Sequence, residues 1–419
     1  MNDHKRMIEY LEMDRIEEAE KCYKRIKETG SAETFYLLAA DLSQLGFLSY
    51  AKELYEHILH AYPEESEIKI LLAELLVEMG EEEKAILYLD SIQEEDESYP
   101  QALLVLADLY QLQGLFEVSE QKLLKANELL PHEPIIYYAL GEFYASQGRL
   151  LEAVRYYQKL LEEGHTSIAG ADLRERLAAA YSAGGAFEEA IPFFEQALEE
   201  KTSLQTLFGL AITAYQAKMY PKAIEAFEKL KALDPEYHSL YRYLAESYEQ
   251  EGALEASLAV VEEGLAADSY QKELYHLGGK IALKLGKKEL SEDYHRQALA
   301  LDPSYLEAAL HLNQLLLSQE RYEEVIEIIE ILKREGETDP QLHWDAAHAF
   351  RMIERYKEAL QHYEYAYEDL QHHVDFLMEY GYFLREEGEQ QKSFYIFNQV
   401  LKLDPVNDEV IYLIQEWEN

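Results

Sequence analysis

The stretch LGEFYASQGRLLEAVRYY, Leu140 to Tyr157, decides the fold, because its landmark residues recur at a fixed interval on both sides. Gly148 belongs to the series Gly46, Gly80, Gly114 and Gly148, each 34 residues from the last. After three extra residues the series resumes at Gly185, Lys218, Gly252, Gly286, Glu320, Glu354 and Gly388. Such a period is that of stacked helical hairpins, each burying its apolar face only against its neighbours. Gly141, seven residues before the turn, lies in a series of small residues: Ala39, Ala73, Ala107, Ala178, Ala211, Ala245, Gly279, Ala347 and Gly381, with Asn313 the exception. Ala153, five after it, lies in a second: Ala51, Ala85, Ser119, Ala190, Ala223, Ser257, Ser291, Ala359 and Ser393, with Val325 the exception. Two helices cross closely only where neither presents bulk, so small residues at matched heights set the spacing of each hairpin. Large residues fill the space beside them, among them Tyr110, Tyr144, Tyr181 and Tyr248 before the turn and Tyr55, Tyr157, Phe194, Phe227, Tyr363 and Phe397 after it.

With Leu140, Gly141, Tyr144, Gly148, Ala153 and Tyr157 in place, and Leu-Asp-Pro closing turns at Leu233–Pro235, Leu301–Pro303 and Leu403–Pro405, the sequence resembles the tetratricopeptide repeat family. It departs from the family pattern early in the first helix, where Trp is frequent and Trp344 lies one residue off. The resemblance implies an all-α fold, a right-handed superhelical solenoid of about twelve helix pairs with a C-terminal capping helix. Residues 1–30 read as a degenerate first repeat, with Asp14, Ala19, Tyr23 and Ile26 in register. Residues 31–163 hold units two to five, 164–170 an insertion and expected hinge, and 171–405 units six to twelve. In 406–419, Val410, Ile411, Leu413, Ile414 and Trp417 share one face of a helix suited to cover the open end of the stack. Repeats and cap account for the whole sequence and leave no residues within it for a catalytic domain. Asn313 and Val325 predict a hairpin that is splayed or packed by mutual compensation.

Composition bounds the partners. Lys plus Arg number 38 against 82 Asp plus Glu, a formal charge of -44. That field repels phosphate backbones and anionic membrane surfaces, which argues against direct nucleic-acid binding and membrane insertion. The single cysteine, Cys22, cannot form an intramolecular disulfide and fits a reducing cytoplasm. No apolar run approaches the roughly 20 residues that span a bilayer. Cytoplasmic residence is expected.

Part of the acidity belongs to helix starts. Glu17 with Glu18, Glu188 with Glu189 and Glu323 with Glu324 open second helices, where carboxylates favour the helix dipole. The resemblance implies that first helices line a concave groove, reached by the second, fifth, ninth, twelfth and thirteenth residues of each unit. From repeat two to repeat six these positions supply Glu33, Glu67, Glu74, Glu78, Asp108, Glu142, Asp172 and Glu175 without Lys or Arg, and Tyr36 and Tyr138 among them. Later units add cations and aromatics: Arg242, Lys280, Lys284, Arg351 and Arg385, with Tyr215, Trp344 and Tyr382. Exposed Tyr, Trp and Arg are frequent binding anchors. The expected ligand is a protein or peptide with a basic or mixed-charge segment.

Other functions lack their residues. Tetratricopeptide clamps for chaperone C-termini use Lys and Asn, whereas Tyr36, Ala40, Ile70 and Glu74 stand at the early inner positions here. No phosphate loop ends in Gly-Lys-Ser or Gly-Lys-Thr, and Gly279 of the Gly278-Gly279 pair is the small packing residue of its unit. His57 with His60 and His372 with His373 lack metal-site spacing, so neither metal nor cofactor is expected. Cys22, beside Lys21 and Lys24, has no recognisable histidine partner for nucleophilic work. The reading is a non-enzymatic adaptor or scaffold resembling stand-alone tetratricopeptide proteins of Gram-positive bacteria. A peptide-responsive regulator and an assembly factor for a larger, envelope-associated complex are the alternatives.

Overall fold

A computed structural model describes residues 3–418, and side chains as far as Gln415. The chain divides into two compact units, Met1–Thr202 and Ser203–Asn419. The N-terminal unit pairs α1 (Asp3–Glu12) with α2 (Ile16–Thr29), α3 (Ala32–Gln44) with α4 (Leu48–Ala61), α5 (Ser66–Glu78) with α6 (Glu82–Asp90), α7 (Tyr99–Leu112) with α8 (Phe116–Leu129), α9 (Pro134–Ser146) with α10 (Leu150–Glu162), and α11 (Leu173–Ala183) with α12 (Phe187–Glu200). The C-terminal unit pairs α13 (Leu204–Gln216) with α14 (Tyr220–Leu233), α15 (Ser239–Gln250) with α16 (Leu254–Ala267), α17 (Lys272–Lys284) with α18 (Lys288–Leu301), α19 (Leu306–Leu317) with α20 (Tyr322–Arg334), α21 (Pro340–Met352) with α22 (Tyr356–Leu370), and α23 (Val374–Glu386) with α24 (Gln390–Leu403). A single helix, α25 (Asp408–Glu418), follows. The first repeat is a complete hairpin; Met1 and Asn2 lie outside the described residues.

The periodic turn has one geometry throughout. Each first helix ends in a residue of positive φ, and the next N–H returns to a carbonyl five residues back, as Arg149 does to Tyr144 at 2.9 Å. This is a Schellman ending, which needs the left-handed region at one residue. Glycine supplies it freely at Gly148 (φ 70), yet Asp14, Lys218, Glu320 and Glu354 adopt φ between 57 and 64 with a side chain attached.

The matched small residues do what their spacing predicts. A Cβ added at Gly141 would stand 2.6 Å from the Tyr157 ring, so glycine lets that fully buried ring lie against the helix backbone. Such burial stabilises by roughly 1.5–3 kcal/mol per large side chain. Where serine replaces alanine in the second series, its hydroxyl can bridge the hairpin: Ser257 donates to the Ala245 carbonyl at 2.6 Å and Ser393 to that of Gly381 at 2.7 Å. First helices of successive repeats touch at several steps, α1 with α3 and α5 with α7 in the N-terminal unit, and from α13 through α15, α17 and α19 to α21 in the C-terminal one. Successive second helices make no contact on that scale. Within each unit, first helices therefore lie to one side of the hairpins and second helices to the other.

Three departures from regularity stand out. The insertion folds as a small hairpin, β1 (Ser167–Ile168) against β2 (Ala171–Asp172), turned by Ala169 and Gly170 at positive φ. Across it α10 and α11 pack more extensively than any other second helix with the first helix that follows it. Helix α6 has nine residues where every other second helix has thirteen or more. The acidic run Glu94–Glu97 follows it, and carboxylates at a helix C-terminus oppose its dipole. Instead Asp96 accepts from the Ser66 hydroxyl at 2.6 Å and the Ser98 N–H at 2.8 Å. Finally, α19 and α20 meet over a shorter stretch than any other hairpin. Asn313 and Val325, the larger residues at the two packing heights of this hairpin, are both fully buried, and the Asn313 amide donates to Asp345 of the next repeat at 3.3 Å.

Val410 and Leu413 of α25 are buried against the end of the C-terminal core, with Ile414 packed beside them. Trp417 lies outside the residues whose side chains are described.

Candidate functional site

The N-terminal unit divides its inner acids into two sets. Glu33 on α3, Glu67, Glu74 and Glu78 on α5, and Asp108 on α7 are all exposed and have no cationic partner within 4 Å. The crowded inner face, and then Glu78 one turn on, raise the Glu74 carboxyl above its usual range; desolvation alone raises Asp108. Glu74 and Asp108 thus stand where charge is disfavoured and uncompensated. Between α3 and α5, Tyr36, Tyr62 and Ile58 wall a cleft of about 430 Å³, with Glu33, Glu65 and Glu67 on its lining.

Further along, the acids are satisfied. Glu142 accepts from the Tyr157 hydroxyl at 2.5 Å and lies 3.5 Å from Arg176, a cation at the sixth position of its repeat that the groove positions do not include. Tyr138 is half-buried beside that pair. Asp172 is the N-cap of α11: it accepts from the Arg174 N–H at 2.8 Å and is gripped by the Arg174 guanidinium at 2.7 Å. Burial works to raise its carboxyl, but those hydrogen bonds hold it below the usual range. Glu175, half-buried on the next turn, is also engaged. The uncompensated stretch is therefore α3 to α7.

In the C-terminal unit most inner cations are spent on neighbouring acids. Arg242 bonds Glu246 at 3.0 Å, which also accepts from Tyr215 at 2.7 Å; Lys284 bonds Glu249 of the preceding repeat at 2.7 Å; Arg351 grips both oxygens of Glu386 in the next. Arg385 is exposed but engaged, and Tyr382 donates to Glu409 of the capping helix while packing edge-on against Phe397. Lys280 has no acid partner within 4 Å. Trp344 is half-buried, edge-on to His373 and Phe376, and its indole N–H donates to Glu379 at 2.9 Å. Glu379 also accepts from His348 at 2.8 Å and Tyr363 at 2.7 Å. Burial would raise that carboxyl, but the His348 and Tyr363 contacts and the Trp344 N–H hold it low. Arg176, His348 and Glu379 were not among the residues singled out from sequence. The ninth position of its repeat marks His348, while the others sit between groove positions and carry no periodic signal.

The histidines around Gly279 serve packing. His295, fully buried on α18, occupies the space left by Gly279, where a Cβ would come within 2.5 Å of its ring. Neither of its ring nitrogens has a partner, and His276 and His311 lie 5.3 and 5.6 Å away between ring centres. Burial pushes His276 down to about 4 and His295 to about 3. Among the described residues no group of His, Cys, Asp and Glu is arranged to hold a metal ion, and no helix is long and apolar enough to cross a membrane.

Hairpins of one geometry, stacked so that first helices share a face, define a helical-repeat solenoid, a class that acts by presenting an extended surface. A family described as YpiA-like tetratricopeptide repeats matches residues 111–165, and its C-terminal counterpart matches residues 340–407. General tetratricopeptide repeat families match residues 208–272, 173–205 and 273–305. The TPR repeat-containing protein YpiA of Bacillus subtilis is 44% identical over 349 residues, spanning 83% of this chain and 82% of that protein. The chain belongs to the tetratricopeptide repeat family. Among solved structures, the C-terminal part of a TPR repeat-containing protein from Cytophaga hutchinsonii aligns with 65% of this chain and 98% of its own at 12% identity and a TM-score of 0.45. YrrB, described as a TPR protein with an unusual peptide-binding site, aligns with 46% of this chain and 100% of its own at 18% identity and a TM-score of 0.41.

Proposed function

We propose that the protein is a non-enzymatic cytoplasmic adaptor whose α3–α5–α7 face captures a basic or mixed-charge segment of a protein partner. The observation that carries this reading is the set of five exposed carboxylates, Glu33, Glu67, Glu74, Glu78 and Asp108, with no internal counter-charge. A Lys or Arg on a partner segment supplies that charge, and Tyr36 and Tyr62 offer aromatic faces to its aliphatic stem and cation. Most cations of the mixed face of the C-terminal unit are already held by neighbouring acids, so Trp344, Tyr382 and the unpaired Lys280 act there as secondary contacts.

The test replaces Glu33, Glu67, Glu74 and Asp108 together by Lys and measures binding of Lys- and Arg-rich peptides, and crosslinked partners from the native cell. Binding to the parent should weaken steeply with salt and vanish in the variant, whose helical content and melting are kept. Equal capture by parent and variant across a salt series would sink the proposal.

A further inference from the structure

On the second-helix side of the N-terminal unit, a cleft of about 680 Å³ opens between α4 and α6, beside the end of the shortened α6. Its apolar walls are Leu59, Leu87 and Tyr88, and Leu87 is 72% exposed above it. Lys69 of α5 also lines it. Only 7% of this lysine is accessible, its ammonium makes no hydrogen bond, and its one ion pair is with Glu64, 4.0 Å away on a side chain that is 92% exposed. Asp96 lies near enough that Lys69 adds slightly to holding its carboxyl low, but Ser66 and Ser98 already occupy that carboxylate. The other lysine of the cleft, Lys84, is held by Glu81 at 2.5 Å.

A buried ammonium without a close carboxylate is costly, and it is the exception in a chain where acids outnumber bases by more than two to one. The volume is of the size that holds a ligand or short segment rather than one side chain. We propose that this cleft docks a short segment of a protein partner in which a large apolar side chain stands beside a single carboxylate. The apolar group enters between Leu59, Leu87 and Tyr88, and the carboxylate completes Lys69. Several carboxylates would meet Glu56 on the wall and the acidic run Glu94–Glu97 beyond α6, so an acidic tract is rejected. This surface is independent of the inner face and has the opposite charge preference.

An array of short peptides that places Leu or Phe beside Asp, Glu, Asn or Lys, probed with the full chain, tests the assignment. Peptides with one Asp or Glu should bind, and the Lys69→Met variant, which keeps the buried stem, should bind them about tenfold or more weakly. Lys69→Arg should retain binding. Leu87→Asp, at an exposed position that bears no folding load, should abolish it, while the Glu67→Lys, Glu74→Lys, Asp108→Lys combination should leave it intact. Equal binding of Asn or Lys peptides, unchanged binding by Lys69→Met, or loss through the inner-face combination would each overturn the proposal. Self-association that Leu87→Asp removes would assign the cleft to a second copy of the chain, and overturn it also.

Discussion

The inner faces of the two units carry similar numbers of acids, yet along α3 to α7 none of them has a cationic partner, whereas in the C-terminal unit Glu246, Glu249 and Glu386 are paired and Glu273, Glu307 and Asp375 are not. On α15 to α23 a cation at the thirteenth or twelfth position meets an acid one repeat away, as Lys284 meets Glu249 and Arg351 meets Glu386. On α3 to α7 the corresponding positions are Ser43, Gln44, Val77, Glu78, Gln111 and Leu112, none of them basic. Free charge on a repeat face thus depends on pairing between neighbouring repeats rather than on the composition of either one. The paired acids also share their hydrogen bonds with aromatic residues, which makes them part of the scaffold; the unpaired acids of α3 to α7 contribute little to folding and remain available.

The contrast can be broken most sharply at single carboxylates. Glu379→Ala strands the donors of Trp344, His348 and Tyr363 and should destabilise the C-terminal unit by about 2–4 kcal/mol. Glu74→Gln, in the same first-helix setting, should be neutral or stabilising within about 0.5 kcal/mol. Chemical denaturation of each variant checks both, and similar losses would erase the distinction.

Acid should separate the units next. His276, His295 and His362 are held down to about 4, 3 and 4, so the unfolded chain binds their protons first and stability falls as pH drops below about 6.5. Asp345, pushed up to about 6, works the other way, as do Glu74 and Asp108 in the N-terminal unit. Hydrogen exchange at pH 7 and 5 should show protection falling in the C-terminal unit and holding in the N-terminal one. His295→Phe, which copies the Phe397 that lies on Gly381, should recover about 1–2 kcal/mol of that acid loss. A smaller effect completes the series: raising salt should stabilise the N-terminal unit slightly, by screening its unpaired acids, and stabilise the C-terminal unit less, because salt there also weakens ion pairs such as Lys284–Glu249 and Arg351–Glu386.

Regular features of the fold were legible because they repeat. The turn series, the two small-residue series and the apolar stripe of α25 each recur or run at helical spacing, and the structure consists of twelve helical hairpins followed by a terminal helix. Asn313 and Val325, by breaking both series, marked the α19–α20 hairpin as irregular, and its two helices make less contact than those of any other hairpin. What repetition could not show was singular. The Asn313 to Asp345 contact joins two repeats through residues with no counterparts, and Arg176 reaches Glu142 from a position the groove register omits. Helix α6 kept the 34-residue spacing while losing its last turn, so only the acidic run at Glu94–Glu97 marked the change. The site positions were legible as a register, but their state of charge compensation depended on distances between side chains.

The uniform turn gives the N-terminal unit a set of built-in graduations. Its tips at Gly46, Gly80, Gly114 and Gly148 share one backbone geometry and follow one another at equal chain intervals. No group lies within 4 Å of where a Cβ would stand at any of the four. Short tags inserted there, carrying paired spin labels or fluorophores, would form a ruler along the edge of the array. Read with and without a basic peptide, that ruler would report how far a captured segment bends or straightens the repeats that hold it.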